Sequence, residues 1–276
     1  MTSAIYYEET QDLVQTFSQE DQAYFQDLWD YFNFAGFLYE EKALREQVYN
    51  LALDFSQASG DGLTAKDYFG QDPKGMADQI IENMPKESTR SVLKYGATVS
   101  GIVIFYRLLS EFASQAFLIL KPLVYLTDSI LGLLVVGLLF YLLRRLIFAE
   151  EKSKKAIYVA VVFVLGFYFA SEIVGVRFLP AFAWLTVPNP WDTFLITGAC
   201  AGLILWQWKE EFARAFIFPI LSFLVVGFLH RWTLAQGIQN STMTIILPTV
   251  IIVIGLMIYY WFTIRALKKN KTENGE

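Results

Sequence analysis

The chain has one histidine and one cysteine in 276 residues. Zinc hydrolases, metalloproteases and histidine-dependent triads normally need more than one histidine. His230 stands beside Arg231 at the end of an apolar run and reads as an interfacial polar residue. Cys200, alone inside another apolar run, allows no intrachain disulfide and no cysteine-based metal site, and reads as a small buried residue. Charged residues are also scarce, at 18%, against 55% hydrophobic. That balance is too apolar for an ordinary soluble domain and points to lipid. No Walker A loop, GxGxxG turn, HExxH helix or GxSxG elbow is present. No catalytic centre, cofactor or metal is therefore expected.

The scarcity of basic residues is uneven. Residues 1–92 hold 6 Lys/Arg against 17 Asp/Glu, a net of −11, and residues 93–276 hold 16 against 10, a net of +6. Two stretches suited to such different solvents are expected to be two parts: an acidic helical domain over residues 1–90 and a membrane bundle over 91–266, with a basic tail over 267–276. Nucleic-acid binding is not expected, because phosphates need clustered Lys and Arg where carboxylates dominate here. Residues 1–20 are acidic and lack the apolar core of a signal peptide, so the domain is expected to begin in the cytosol.

Within the acidic part, Phe25, Leu28, Trp29 and Phe32 fall at i, i+3, i+4 and i+7, with Ser18 placed to cap their helix. Leu44, Val48, Leu51 and Phe55 form a second stripe, ended by Ser59-Gly60-Asp61-Gly62. Tyr6, Leu13, Val14 and Phe17 suggest a helix before Ser18. Thr64 caps a short helix ending at Gly70. Asp72-Pro73 gives a cap followed by proline at the first helical position, opening a helix that carries Met76, Ile80 and Ile81 and stops by Pro85. The stretch from Gly62 to Pro73 thus reads as a corner: glycines for sharp turns, Thr64 and Asp72 as caps, Tyr68 and Phe69 plugging the core. These residues serve folding, or else Tyr68, Phe69 and the acidic face form a docking surface for a protein.

The segment Leu63-Thr64-Ala65-Lys66-Asp67-Tyr68-Phe69-Gly70-Gln71-Asp72-Pro73 resembles a motif of an uncharacterised membrane family of streptococci and lactic acid bacteria. There a small helical domain of the HAAS type precedes the first span. The resemblance covers roughly residues 5–90 and the order of parts. It implies a bacterial cell-membrane protein with a regulatory role and a cytosolic protein partner bound through residues 1–90.

A span needs about twenty mostly apolar residues. About six candidates are present: 93–112, 129–147, 156–176, 193–208, 212–229 and 243–264. The first is the most diluted by polar residues. Residues 116–126 are apolar but short, interrupted by Lys121 and Pro122, and read as interfacial or re-entrant. With the N-terminus inside, Arg144, Arg145, Lys152, Lys154 and Lys155 fall on a cytosolic loop, and Arg265, Lys268, Lys269 and Lys271 on a cytosolic tail, as the positive-inside rule requires. Trp184, Trp191, Trp206, Trp208, Trp232 and Trp261 cluster at span ends, where interfacial aromatics belong. The expected fold is all-α, with both termini cytosolic; membrane lipid is one expected partner, and an oligomer is compatible with the pattern.

Three charged residues of the apolar part are candidate functional positions. Arg107 and Glu111 are four apart on one helical face, and either neutralise each other or line a polar path. Glu172 lies among Phe167, Tyr168, Phe169 and Ile173, about one turn from Arg177; it is either a snorkelled, paired carboxylate or a proton or cation site. The expected function is a non-enzymatic membrane regulator or adaptor. The alternative is a transporter or permease-like subunit with Glu172 or Arg107 in its path. The junction at residues 85–90, where the charge sign flips, is where the two parts are expected to communicate.

Overall fold

The computed structural model describes residues 2–70, 72–178, 185–208 and 213–273, with side chains omitted at 172–178 and 267–273. The chain is all-α, 83% helical. Its first five helices are α1 (Ser3–Gln15), α2 (Gln19–Ala35), α3 (Glu41–Gly60), α4 (Ala65–Phe69) and α5 (Pro73–Glu82). Their starts are set by the side chains that accept otherwise orphaned N–H groups. Ser18 accepts from the Asp21 amide, Thr64 from Asp67 and Asp72 from Gly75, and Pro73 occupies the first turn of α5. Gly62 and Gly70 have φ of 82° and 91°, the left-handed region that favours glycine, and they turn the chain at each end of the α4 segment.

The core of this bundle is aromatic and aliphatic. Phe25, Leu28, Tyr31 and Phe32 of α2 pack on Leu44, Val48, Ala52 and Phe55 of α3, with Ala65, Ala77 and Ile81 closing it. The expected α3 stripe is buried, and the α2 stripe changes at one position. Trp29 is only part-buried, and Tyr31 is fully buried in its stead. The reason is that α2 is covered on more than one side, so its buried face is wider than the single stripe an amphipathic surface helix shows.

Among the described residues, six further helices follow: α6 (Thr89–Ser114), α7 (Pro122–Ile147), α8 (Glu151–Phe178), α9 (Trp191–Gln207), α10 (Ile217–Ala235) and α11 (Leu247–Glu273). A 3-10 turn, Ala213–Phe216, leads into α10, and a π turn, Thr242–Ile246, leads into α11. Five segments among the described residues are long and apolar enough to cross a membrane: Thr89–Ser114, Pro122–Ile147, Glu151–Ser171, Ala213–Ala235 and Thr242–Ala266. These helices are compatible with a multi-pass membrane protein, and their exposed Leu, Val, Ile and Phe side chains are what lipid as a solvent permits. The stretch expected as a span at 193–208 lies on α9, which is apolar but has 17 residues, roughly 25 Å at 1.5 Å per residue.

Residues 116–126 do not form one interfacial piece. Leu118–Leu120 is strand β1, paired antiparallel with β2 (Leu185–Val187), and Pro122 opens α7 instead of breaking a helix. Proline lacks only the N–H that a first-turn residue would leave unused, so it starts this helix well.

The chain divides into two compact units. One comprises Met1–Ser100 with Ile130–Gly175, and the other Gly101–Ser129 with Val176–Glu276. The division runs through α6, α7 and α8, so α1–α5 belong to one unit with much of α7 and α8.

Candidate functional site

In the corner segment, Phe69 lies against the core beside Tyr24, Phe25 and Phe55, with the Tyr24 and Phe69 rings stacked at 6.0 Å. Tyr68 does not plug the core as expected; it is 44% exposed and only its edge reaches Phe55 and Phe69. Neighbouring residues on a helix point about 100° apart, so a single turn facing the core buries one of the two rings. Thr64 donates to the Asp67 carboxylate at 2.7 Å and caps the same turn. Gly70, Asp72 and Pro73 act as turn, cap and first-turn residue.

A residue of the corner that sequence pattern missed is Asp21. Buried to 6% exposure, it accepts from the Ser18 hydroxyl at 2.6 Å and from the Ala65 amide at 2.7 Å, tying the start of α2 to the start of α4. Asp21→Ala strands a buried N–H donor. It is expected to cost about 1–3 kcal/mol, read as lost hydrogen-exchange protection at Ala65; unchanged protection there would contradict the tie.

The most connected site of the first unit joins α2 and α5 to α7. Tyr31 donates its hydroxyl to Asp78 Oδ1 at 2.6 Å. Arg144 donates from Nε to the Tyr31 hydroxyl at 2.9 Å and from Nη2 to Asp78 Oδ1 at 2.7 Å. Around this triad, Phe140 meets Phe34 and Phe37, and Phe148 meets Tyr31. Phe140, Arg144 and Ile147 stand at i, i+4 and i+7 on one face of α7, and Phe148 completes the contact from the turn just after it. That spacing was available in the sequence, but there it reads as part of a span. Burial, and then the bond to Asp78, push the Tyr31 hydroxyl up to about 12. The protonated form is the one favoured by folding. Its contribution to stability is full below the ordinary tyrosine value of about 10 and drains away as pH rises towards 12.

In the second unit the expected Arg107–Glu111 pair forms, at 3.4 Å, with both side chains over nine-tenths buried. Two residues of α7 join it. Tyr125 donates to Glu111 Oε2 at 2.9 Å, and Asp128 lies 3.5 Å from Arg107 Nη1. Arg107 thus faces two carboxylates, and α6 and α7 are held together by charge inside an apolar unit.

A second buried pair went unseen in the sequence. Arg231 of α10 donates from Nη2 to Asp192 Oδ2 of α9 at 2.7 Å, and Asp192 is fully buried. Asp192 also accepts from the amide and hydroxyl of Thr193, at the helix end where a negative charge is favoured. Arg231 Nη1 donates to the Phe112 carbonyl, which lies in the last turn of α6 and lacks a partner within that helix, and to the Gly227 carbonyl at 3.3 Å. Its guanidinium sits 3.8 Å over the Phe112 ring. One arginine of α10 therefore joins the last turn of α6 to the first turn of α9. The residues beneath it, Leu109, Phe112, Leu118, Ile196, Cys200 and Ile220, form the apolar core of this unit.

Glu172 lies outside the described side chains. His230 is half-buried, and its carbonyl accepts from the Thr233 hydroxyl. Among the described residues no group of three or more His, Cys, Asp or Glu is placed to hold a metal ion. No protein-family model, curated protein or solved structure matches the chain.

Proposed function

We propose that the chain is a non-enzymatic regulator or adaptor of a bacterial cell membrane, in which a cytosolic helical domain binds a protein partner and is coupled to a membrane helix. The observation that carries this reading is the joint of Arg144 with Asp78 and Tyr31: a residue at the end of a spanning-length helix reaches into the folded α1–α5 bundle. A bundle that merely hung from its linker would not need its own core tyrosine engaged by that helix. The HAAS-like segment at residues 63–73 and the carboxylate-rich surface support the same reading. On this reading α9 is a short sixth span, both termini are cytosolic, and the basic loop after α7 lies on the side of the domain. The joint falls on α7, away from the 85–90 junction where the charge sign flips.

The test is Arg144→Gln in the full chain in lipid nanodiscs, followed by hydrogen exchange. Both partners of the Arg144–Asp78 pair are about a third exposed, so the loss is set at about 1 kcal/mol, roughly a fivefold rise in exchange confined to α5. No change in α5, or loss of protection through all of α1–α5, would count against coupling.

A further inference from the structure

Helices α3 and α5 do not close on one another. Between them runs a trough of about 580 Å³. Its apolar surface is Met76 and Ile80 of α5 with Met84 just beyond, all part-buried against the core. Its α3 wall is Ala43, Glu46, Gln47 and Asn50, one face of the helix over two turns. On the α5 side Gln79 and Asn83 complete a rim of amides. The lining holds one carboxylate, Glu46, and no cation, within a domain of net charge −11 over residues 1–92.

We propose that this trough is the docking site for a basic amphipathic helix of a protein partner. The proposal rests on the adaptor reading above and names the chemistry of its partner. Two helical walls, each about two turns or 10 Å long, match a docked helix read at i, i+3, i+4 and i+7, whose apolar face meets Met76, Ile80 and Met84. Methionines suit such a surface because their unbranched, polarisable side chains repack around differing apolar partners. The amides hydrogen-bond without fixing charge. The domain's surplus of carboxylates speeds the approach of a cationic segment and repels an acidic one.

The position of the trough on α5 links it to the joint. At about 100° per residue, Asp78 lies roughly 160° from both Met76 and Ile80. A ten-residue helix therefore presents one side to the docked partner and holds Arg144 with the other. Occupation of the trough acts on the same element that α7 grips.

The chain has five methionines, which makes methyl labelling a direct test. The full chain, carbon-13 labelled at methionine methyls, is placed in zwitterionic nanodiscs. It is titrated with a synthetic helix of about eighteen residues, leucine on one face and lysine on the other. The Met76 and Met84 signals are expected to move saturably, while Met243 and Met257, on the π turn and α11, stay in place. A matching leucine–glutamate helix is expected to produce no shift. The exposed pair Asn50→Lys with Gln79→Lys is expected to weaken binding about tenfold. The proposal is overturned if Met76 and Met84 do not move at saturating lysine helix, if the glutamate helix moves them equally, or if only Met243 and Met257 respond, which marks lipid insertion. If Arg144→Gln loosens α5 while Met76 and Met84 stay fixed, docking fails and the coupling reading stands. If the shifts appear while Arg144→Gln leaves α5 unchanged, the trough stands and coupling fails.

Discussion

Arg231→Met is expected to lower the stability of the detergent-solubilised protein by about 3–5 kcal/mol, the usual cost of leaving a buried charge without its partner. The loss has three sources. Asp192, fully buried, loses its cationic partner and is left with the Thr193 amide and hydroxyl. The Phe112 carbonyl at the end of α6 loses its donor. The Phe112 ring loses the cation above it. The double variant Arg231→Met with Asp192→Asn removes the orphaned charge and is expected to recover a large part of the loss, because an ion pair and its neutral replacement differ far less than a pair and a half-pair. Thermal unfolding followed by size-exclusion chromatography reads the difference. A single variant as stable as the parent, or a double variant no better than the single one, would remove Arg231 from its role as the closing residue of this unit.

Gly227→Ala is the second large effect. A Cβ at Gly227 would overlap the Phe112 ring and crowd the Phe112 carbonyl. That ring cannot turn aside, since Arg231 lies across its face and Phe228 stands at its edge. The substitution is expected to cost about 2–3 kcal/mol as overpacking, more than its gain in helix propensity of about 1 kcal/mol. Phe112→Leu makes room, so Gly227→Ala with Phe112→Leu should cost clearly less than the two single losses added together. Simple additivity in that cycle would show that the close approach of α6 and α10 at Gly227 is not what fixes their packing.

These two sites mark the boundary of what the sequence makes legible. Ser18, Thr64 and Asp72 were readable as caps because a cap acts over three residues. Arg107 and Glu111 were readable as a pair because they share a face one turn apart. Arg231 and Asp192 are 39 residues apart, and Arg144 and Asp78 are 66 apart. Nothing local distinguishes either arginine from a charge at a membrane interface, where Lys and Arg are common. Tyr31 was missed for a related reason: its hydroxyl is satisfied only by partners on two other helices, so its place in the core follows from tertiary structure and not from the period of α2. Trp29, with the right spacing, lost that place. Of the candidate spans, the five described helices of membrane-crossing length follow directly from runs of apolar residues, whereas α9 is equally apolar but too short for composition alone to decide its role.

The position of Arg144 bears on how the protein is made. A chain is synthesised from its N-terminus, and small domains fold as they emerge. Asp78 and Tyr31 are therefore in hand before α7 leaves the ribosome. On the proposed topology the guanidinium that helps retain the end of α7 in the cytosol meets a carboxylate already waiting there, and pairing removes its charge from the signal that orients the helix. Arg145, next in the chain, is exposed beside Tyr141. On that proposed topology the adjacent arginines would divide two tasks during biogenesis: one fastening the newborn helix to the domain, the other declaring which side of the membrane it belongs to.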